Sequence, residues 1–265
     1  MTGSIDPSAD PSSTDPLDPP PPFRKLSIVI PMWNEEEYIH RSVRVCTEAC
    51  LRIKDAGLIL DHEVVIIDDA STDATPQLAD ALTAADPHIV VVHHPVNRKL
   101  GGSVKTGLAT ASGDLVLYTD ADLPFDMLEL DRAVRILRAY EADIVTAFRH
   151  DRTGEGPRRA VYSWAYNWLI QLAFGTRLRD INFAFKLVRR EVLDAVCLRS
   201  EGSFIDAELL VRAQRLGFSA VQIGVDYFPR SRGVSTLSSP AVIGGIVREM
   251  RELRSELRSL TPLDR

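Results

Sequence analysis

The sequence predicts an α/β fold with a mostly parallel central sheet and helices on both faces. Three observations predict it. Short apolar runs rich in Val, Ile and Leu recur at Leu26–Ile30, His62–Ile67, Ile89–His93, Leu115–Tyr118 and Asp143–Phe148. Helix-length segments separate them, as crossover connections between parallel strands require. Polar residues then gather just past the carboxyl ends of the runs, at Pro31–Glu35, Asp68-Asp69, Asp120–Asp122 and Arg149. Ligands of open α/β sheets bind along that edge.

The elements follow in order. Residues 1–22 hold seven of the 16 prolines and almost nothing apolar, which reads as a disordered tail. Leu26–Ile30 is a buried strand stopped by Pro31. The acidic stretch Asn34–Glu37 opens a helix through about Asp55, where its charges suit the helix dipole. After the His62–Ile67 strand, Ala70–Ala74 is a loop. Thr75-Pro76 then caps and starts a helix to about Ala85. Following Ile89–His93, a loop over Asn97–Ser103 contains Gly101-Gly102, read as a tight turn, and a helix runs to about Ala111. Leu128–Tyr140 is a helix and Asp143–Phe148 a strand. Ala160–Phe174 is aromatic and amphipathic, either packed on the core or lying at a membrane surface with Trp164, Tyr166 and Trp168. A strand is expected within Asp180–Arg190, a helix over Gly202–Gly217 and a strand over Ala220–Tyr227. Pro229–Thr236 is a basic, hydroxyl-bearing loop. Pro240–Leu260 is a helix whose Arg248, Arg251, Arg254 and Arg258 interleave with Glu249, Glu252 and Glu256, the spacing of intrahelical ion pairs. The domain reading is a tail over 1–22, one catalytic domain over 23–239 and a C-terminal amphipathic helix over 240–265.

Composition excludes several classes. The formal charge is −6 over 265 residues, and four of the acids lie in the first 22, so the remainder is near neutral and no nucleic-acid partner is expected. Cys46, Cys50 and Cys197 show no C-x-x-C spacing and cannot all pair, which fits a reducing, cytoplasmic compartment. The N-terminus does not read as a secretory signal. No apolar run approaches the length of a membrane span, so membrane contact is expected to be peripheral. The histidines show no metal-ligand spacing, and His93-His94 are expected to make ordinary loop hydrogen bonds. No G-x-x-x-x-G-K-[ST] motif is present.

The chemistry centres on Gly113–Asp126, GDLVLYTDADLPFD. Asp120 and Asp122 follow a buried strand, one residue apart. Two carboxylates there offer hard oxygen ligands to Mg²⁺ or Mn²⁺. A lone D-x-D is weak, and two solvated turn aspartates are the bland alternative. Its company gives it weight: IVIPMWNEEEYI, VVIIDDASTDAT, NRKLGGSVKTGLATASGDLVLYTDADLP, FAFKLVRR and SFIDAELL occur in this order.

With those motifs the chain resembles an inverting family 2 glycosyltransferase of the GT-A fold, and more narrowly the dolichyl- and polyprenyl-phosphate hexose synthases, over about Leu26 to Thr236. The resemblance implies residue roles. Pro31, Trp33 and Glu35 match the P-x-Y-N-E segment that lines the nucleotide, with Trp33 in place of Tyr. Ile67 and Asp69 match positions around the base. Asp120, Ala121 and Asp122 match the metal and diphosphate site. Arg149 matches an Arg after the last strand of the nucleotide half, and Lys186 the Lys of G-F-K. Arg230 and Ser235 match the late R-x-x-G-x-S loop that meets phosphate. Three departures concern sugar and acceptor: Pro124 where Gln is frequent, Phe183-Ala184-Phe185-Lys186 where C-G-F-K is usual, and Thr236 where a Lys often ends the loop.

Moving a sugar from a nucleotide diphosphate develops negative charge on the leaving phosphate, which a cation and nearby Arg or Lys stabilise. A phosphate acceptor is already ionised and needs cations to aim it; Arg149, Lys186, Arg230 and Arg232 are of that type. A hydroxyl acceptor needs a carboxylate base, for which Asp180 and then Asp206 are the candidates, each equally suited to pairing with an arginine. The expected partners are a nucleotide sugar (GDP-mannose or UDP-glucose), a polyprenyl-phosphate lipid and a peripheral membrane surface, with room for a homo-oligomer. The alternatives are a soluble transferase with a hydroxyl acceptor and a non-catalytic nucleotide-binding protein.

Overall fold

A computed structural model describes residues 21–150, 157–228 and 240–264. The elements run β1 (Phe23–Met32), α1 (Ile39–Asp55), β2 (Ile59–Asp68), α2 (Thr75–Ala85), β3 (Ile89–His93), α3 (Lys99–Thr110), β4 (Leu115–Thr119), α4 (Glu129–Ala139), β5 (Ile144–Arg149), α5 (Pro157–Phe174), β6 (Phe185–Arg189), α6 (Arg190–Ala195), α7 (Ile205–Arg215), β7 (Ala220–Val225) and α8 (Pro240–Ser259). Seven strands form one sheet in the order β3-β2-β1-β4-β6-β5-β7. Only β6 runs against the rest, pairing antiparallel with both β4 and β5. The expected α/β architecture and mostly parallel sheet are therefore present.

Strand alternation divides the interior. Leu26, Ile28 and Ile30 of β1 join Val64 and Ile66 of β2 and Leu115 and Leu117 of β4 under α1 and α4. On α1, Val43, Cys46, Cys50 and Ile53 recur at helical spacing along the buried stripe. The opposite face puts Val29, Val65, Ile67, Val116 and Tyr118 against Val104 and Leu108 of α3. A second core lies under α5, α7 and α8, where Ile144 and Val188 meet Ile170, Phe204, Leu210, Ile246 and Leu257. Cys46 and Cys50 are core residues, as expected, and burial pushes the Cys50 thiol up to about 12.

Several local expectations are corrected. Pro31 does not stop β1; it pairs with Ile67, and Met32 pairs with Asp68. The β1–β4 ladder ends at Val29, so Pro31 sits where one flank no longer pairs, a position proline tolerates. Asn34–Glu37 precede α1 as a turn, with Asn34 at φ 55°, and the first turn of α1 holds no acid. Thr75 is not a side-chain cap for α2; its hydroxyl accepts the Glu35 N–H at 2.9 Å. Gly101 and Gly102 lie inside α3, not in a tight turn. A Cβ on Gly101 would stand 2.5 Å from the Ser200 carbonyl oxygen, so these glycines let α3 pack directly on the 200–201 backbone. The charged residues of α8 reach other elements. Glu249 accepts the Glu201 and Gly202 N–H groups, Glu256 pairs with Arg212 and Arg199, and Arg258 donates to the Ala173 carbonyl. Among the described residues no ion pair runs along α8, because its charged side chains fasten it to the second core. The expected tail lies almost wholly outside the described residues, as does the 229–236 loop. Among the described residues no helix is long and apolar enough to cross a membrane.

Candidate active site

All six parallel strands end on one edge, and the reversed β6 begins there, since Phe185 pairs with Thr119 at the end of β4. That register brings the polar segments of both halves of the chain together.

The first wall is an interlock between the segment after β1 and the loop after β2. The Asn34 side-chain oxygen accepts the Thr72 N–H at 2.8 Å, and the Asn34 N–H donates to Ser71 Oγ at 2.9 Å. Glu36 accepts the Ala74 N–H at 2.9 Å, and its own N–H donates to Asp73 at 3.2 Å. Trp33 stands above this interlock with half its surface exposed, so its indole face is available for stacking. Pro31 and Glu35 are half-buried beside it. The Ile67 side chain is fully buried against α3, so its contribution to the edge is main chain only.

The doublets Asp68-Asp69 and His93-His94 end adjacent strands, with Asp68 in register with His93. His93 Nδ1 lies 2.8 Å from Asp68 and its Nε2 lies 3.1 Å from Asp80. The bond to Asp68 raises the His93 pKa above the ordinary histidine value. His94 Nδ1 lies 2.7 Å from Asp69, which also accepts the Arg98 N–H at 2.8 Å. Asp69 is thus buried and braces the 97–98 loop. Sequence reasoning placed Asp69 but missed this network. The visible signal was two polar doublets, DD and HH, each closing an apolar run.

Asp120 and Asp122 leave the end of β4 half-buried, with Ala121 between them turned into the core. Helix α1 braces this turn: Ser42 Oγ donates to the Ala121 carbonyl, and Arg41 reaches the Asp122 carbonyl at 3.3 Å. Leu123 follows at φ 46°, and its N–H closes onto the Asp120 carbonyl at 3.2 Å. Two half-exposed carboxylates on a braced turn make an oxygen-only donor set, which fits a hard divalent cation.

The other half supplies charge beneath. Arg149, at the end of β5, grips Asp180 through Nε and Nη2, both at 2.7 Å. The guanidinium also lies 5.6 Å from the Phe183 ring and 5.1 Å from the Tyr227 ring. Asp180 is buried and sits at φ 48°, a region that aspartate enters more readily than most side chains. Lys186 is fully buried. Its ammonium lies 2.5 Å from Asp206 on α7, donates to the Phe183 carbonyl at 2.9 Å and lies 5.4 Å from the Tyr118 ring centroid. Burial lifts the Asp206 carboxyl above its usual range, against the pull of that ammonium. Both candidate bases are therefore held in buried ion pairs. Arg230, Arg232 and Ser235 lie outside the described residues. The segment that carries them leaves from Phe228, whose N–H donates to the Pro124 carbonyl at 2.9 Å, two residues past Asp122.

A sheet that ends in a carboxylate pair, with an aromatic wall on one side and buried arginine on the other, defines the GT-A class of nucleotide-diphospho-sugar transferase folds. The chain belongs to glycosyl transferase family 2, whose model matches residues 27–197. It is 36% identical over 211 residues to glycosyltransferase AglD of Haloferax volcanii, covering 78% of this chain and 33% of that protein. It is 33% identical over 224 residues to the undecaprenyl-phosphate 4-deoxy-4-formamido-L-arabinose transferase of Erwinia tasmaniensis, covering 83% of this chain and 65% of the relative. The chain thus spans a third of one relative and just under two thirds of the other. Among solved structures it resembles glucosyl-3-phosphoglycerate synthase of Mycobacterium tuberculosis in complex with Mn²⁺, UDP and glucosyl-3-phosphoglycerate, at TM-score 0.63 and 23% identity over 91% of this chain and 82% of that one. It also resembles the mannosyltransferase PcManGT of Pyrobaculum calidifontis with GDP-Man and Mn²⁺, at TM-score 0.59 and 22% identity over 82% and 60% of the two chains.

Proposed function

We propose that this chain transfers a hexose, with inversion, from a nucleotide sugar to a polyprenyl or dolichyl phosphate at the cytoplasmic face of a membrane. The observation that carries this reading is the braced Asp120–Asp122 turn at the end of β4, next to the β1 end that carries the exposed Trp33. In this reading Trp33, Pro31, Glu35 and the Asp69-braced loop hold the nucleoside. Asp120 and Asp122 hold Mg²⁺ or Mn²⁺, in keeping with the Mn²⁺ and nucleotides named for the two structural neighbours. The bound cation supplies charge neutralisation for the diphosphate as it leaves. Arg230, Arg232 and Ser235 aim the acceptor phosphate, while Arg149 and Lys186 hold the 180–186 segment in place through Asp180 and Asp206.

A phosphate acceptor is favoured over a hydroxyl because Asp180 and Asp206 are occupied by Arg149 and Lys186, which leaves neither placed as a general base. The named substrate of the Erwinia relative, an undecaprenyl phosphate, agrees. Membrane contact is supported by α5. Trp164, Trp168 and Leu172 recur every four residues and are each more than half exposed, and residues 157–179 contain four arginines and no acid.

The test is a donor screen. Purified protein, Mg²⁺ or Mn²⁺, a polyprenyl phosphate and GDP-mannose, UDP-glucose or another sugar nucleotide are incubated, and the organic phase is assayed for sugar. Sugar there with one donor, abolished by Asp122→Ala, is the expected result. An empty organic phase with every donor, alongside sugar on a soluble acceptor, would overturn the lipid assignment.

A further inference from the structure

At the opposite edge of the sheet, where β2 and β3 begin, the fold collects Asp61, His62, Asp86 and His88. Their spacing in sequence shows no ligand pattern; two adjacent strands bring them together. We propose that Asp61, His62 and His88 form a site for one borderline transition-metal dication of the Zn²⁺ type, separate from the oxygen site at Asp120 and Asp122.

One ligand atom from each of the three lies within 4.8 Å of the others. His62 is only 3% exposed, yet neither of its ring nitrogens has a hydrogen-bond partner. Buried polar atoms are almost always satisfied, so an imidazole left bare on both nitrogens calls for an ion or a water. The tautomer of His88 is set as it is in metal-bound histidines. Its Nδ1 lies 2.9 Å from Asp86 Oδ1, which also accepts the His88 N–H at 2.8 Å. A carboxylate on one ring nitrogen fixes the tautomer and frees the other. That other nitrogen, Nε2, faces Asp61 Oδ1 at 3.7 Å.

The two imidazoles stack in parallel with centroids 4.5 Å apart, so their in-plane lone pairs converge on one ion only when His88 swings out of the stack. Zn–N distances of about 2.0–2.1 Å require the three ligand atoms to draw in by roughly an ångström. Asp61 and His88 are free to make that movement, since their side chains are 49% and 42% exposed, while His62 stays fixed. Two nitrogens and one carboxylate favour Zn²⁺, Co²⁺ or Ni²⁺ over the Mg²⁺ or Mn²⁺ suited to Asp120 and Asp122. Three protein ligands leave a fourth position for water. An ion here ties the start of the edge strand β3 to β2, far from the sugar-transfer edge.

The test titrates untagged full-length protein with Zn²⁺ alone by calorimetry, and with Co²⁺ by visible absorption. One ion per chain with micromolar affinity is expected, retained in excess Mg²⁺. His88→Ala and Asp61→Asn, both at the surface, should each weaken binding by about tenfold or more and remove the Co²⁺ bands. Asp122→Asn should leave both readouts unchanged. Absence of Zn²⁺ uptake in the micromolar range would overturn the proposal. So would uptake that survives His88→Ala, or uptake lost in Asp122→Asn.

Discussion

Replacing Asp206 by alanine tests what the buried Lys186 ammonium depends on. Lys186 is fully buried, and its charge is met by Asp206 at 2.5 Å and the Phe183 carbonyl at 2.9 Å. Asp206→Ala leaves one neutral acceptor for a full charge inside the protein. Breaking a buried pair on one side costs about 3–5 kcal/mol. For a domain of this size each kcal/mol lowers Tm by about 2–4 °C, so a fall of roughly 6–20 °C is expected. The double variant Lys186→Met, Asp206→Leu removes both charges together and should recover most of that loss, because apolar residues of similar volume often replace buried pairs without penalty. Thermal and urea denaturation of both singles and the double closes the cycle. Additive losses, or an Asp206→Ala cost below about 1 kcal/mol, would refute the view that this pair is a mutually dependent unit.

Other positions give equally direct outcomes. Gly107→Ala places a Cβ 2.2 Å from Val29 Cγ1 where α3 packs on β1, so about 1–3 kcal/mol of overpacking should appear in urea denaturation. His93 has its pKa raised by Asp68, so the stability from that bond is complete below the unfolded value of about 6.5 and lost as pH rises through the higher folded value. His93→Gln should therefore destabilise the protein more at about pH 5.5 than at about pH 8.5 in thermal melts; an equal loss at both would count against the bond. Arg149→Lys removes the two-point grip on Asp180, which one ammonium cannot span, and should cost about 1–3 kcal/mol along with a higher acceptor KM in the transfer assay.

The parallel half of the fold was legible because β1 to β5 are near-continuous apolar runs separated by helices of ordinary length. The reversal of β6 was not, since a short run such as FKLVR carries no mark of strand direction and its neighbours set its course. Pro31 looked like a stop because sequence does not reveal where the β4 ladder ends. Gly101-Gly102 looked like a turn because the 200–201 backbone they accommodate lies about a hundred residues away. At the site, Asp120 and Asp122 were legible from their position after a buried run. The pairings of Asp180 with Arg149 and Lys186 with Asp206 were not, because they join different elements. The same holds for α8, whose Glu/Arg alternation suggests pairing along the helix while Glu249 and Glu256 reach elsewhere.

The reversal of β6 also has a bearing on how the molecule can be altered. Reversing one strand brings the loop that enters β6 to the same edge as the loops that leave β1, β2 and β4. One interior runs beneath α1 and α4 across the whole sheet, from Ile89 of β3 to Val225 of β7, and a second lies under α5, α7 and α8. The β4–β6 ladder, with the Lys186–Asp206 link beside it, joins the reversed strand to the parallel ones. A graft that exchanges Pro157–Phe174 and Pro240–Ser259 would repack the second interior and leave α1 and α4 on the first. Alteration is thus best confined to the helices of the second interior, since the first is shared by every strand of the sheet.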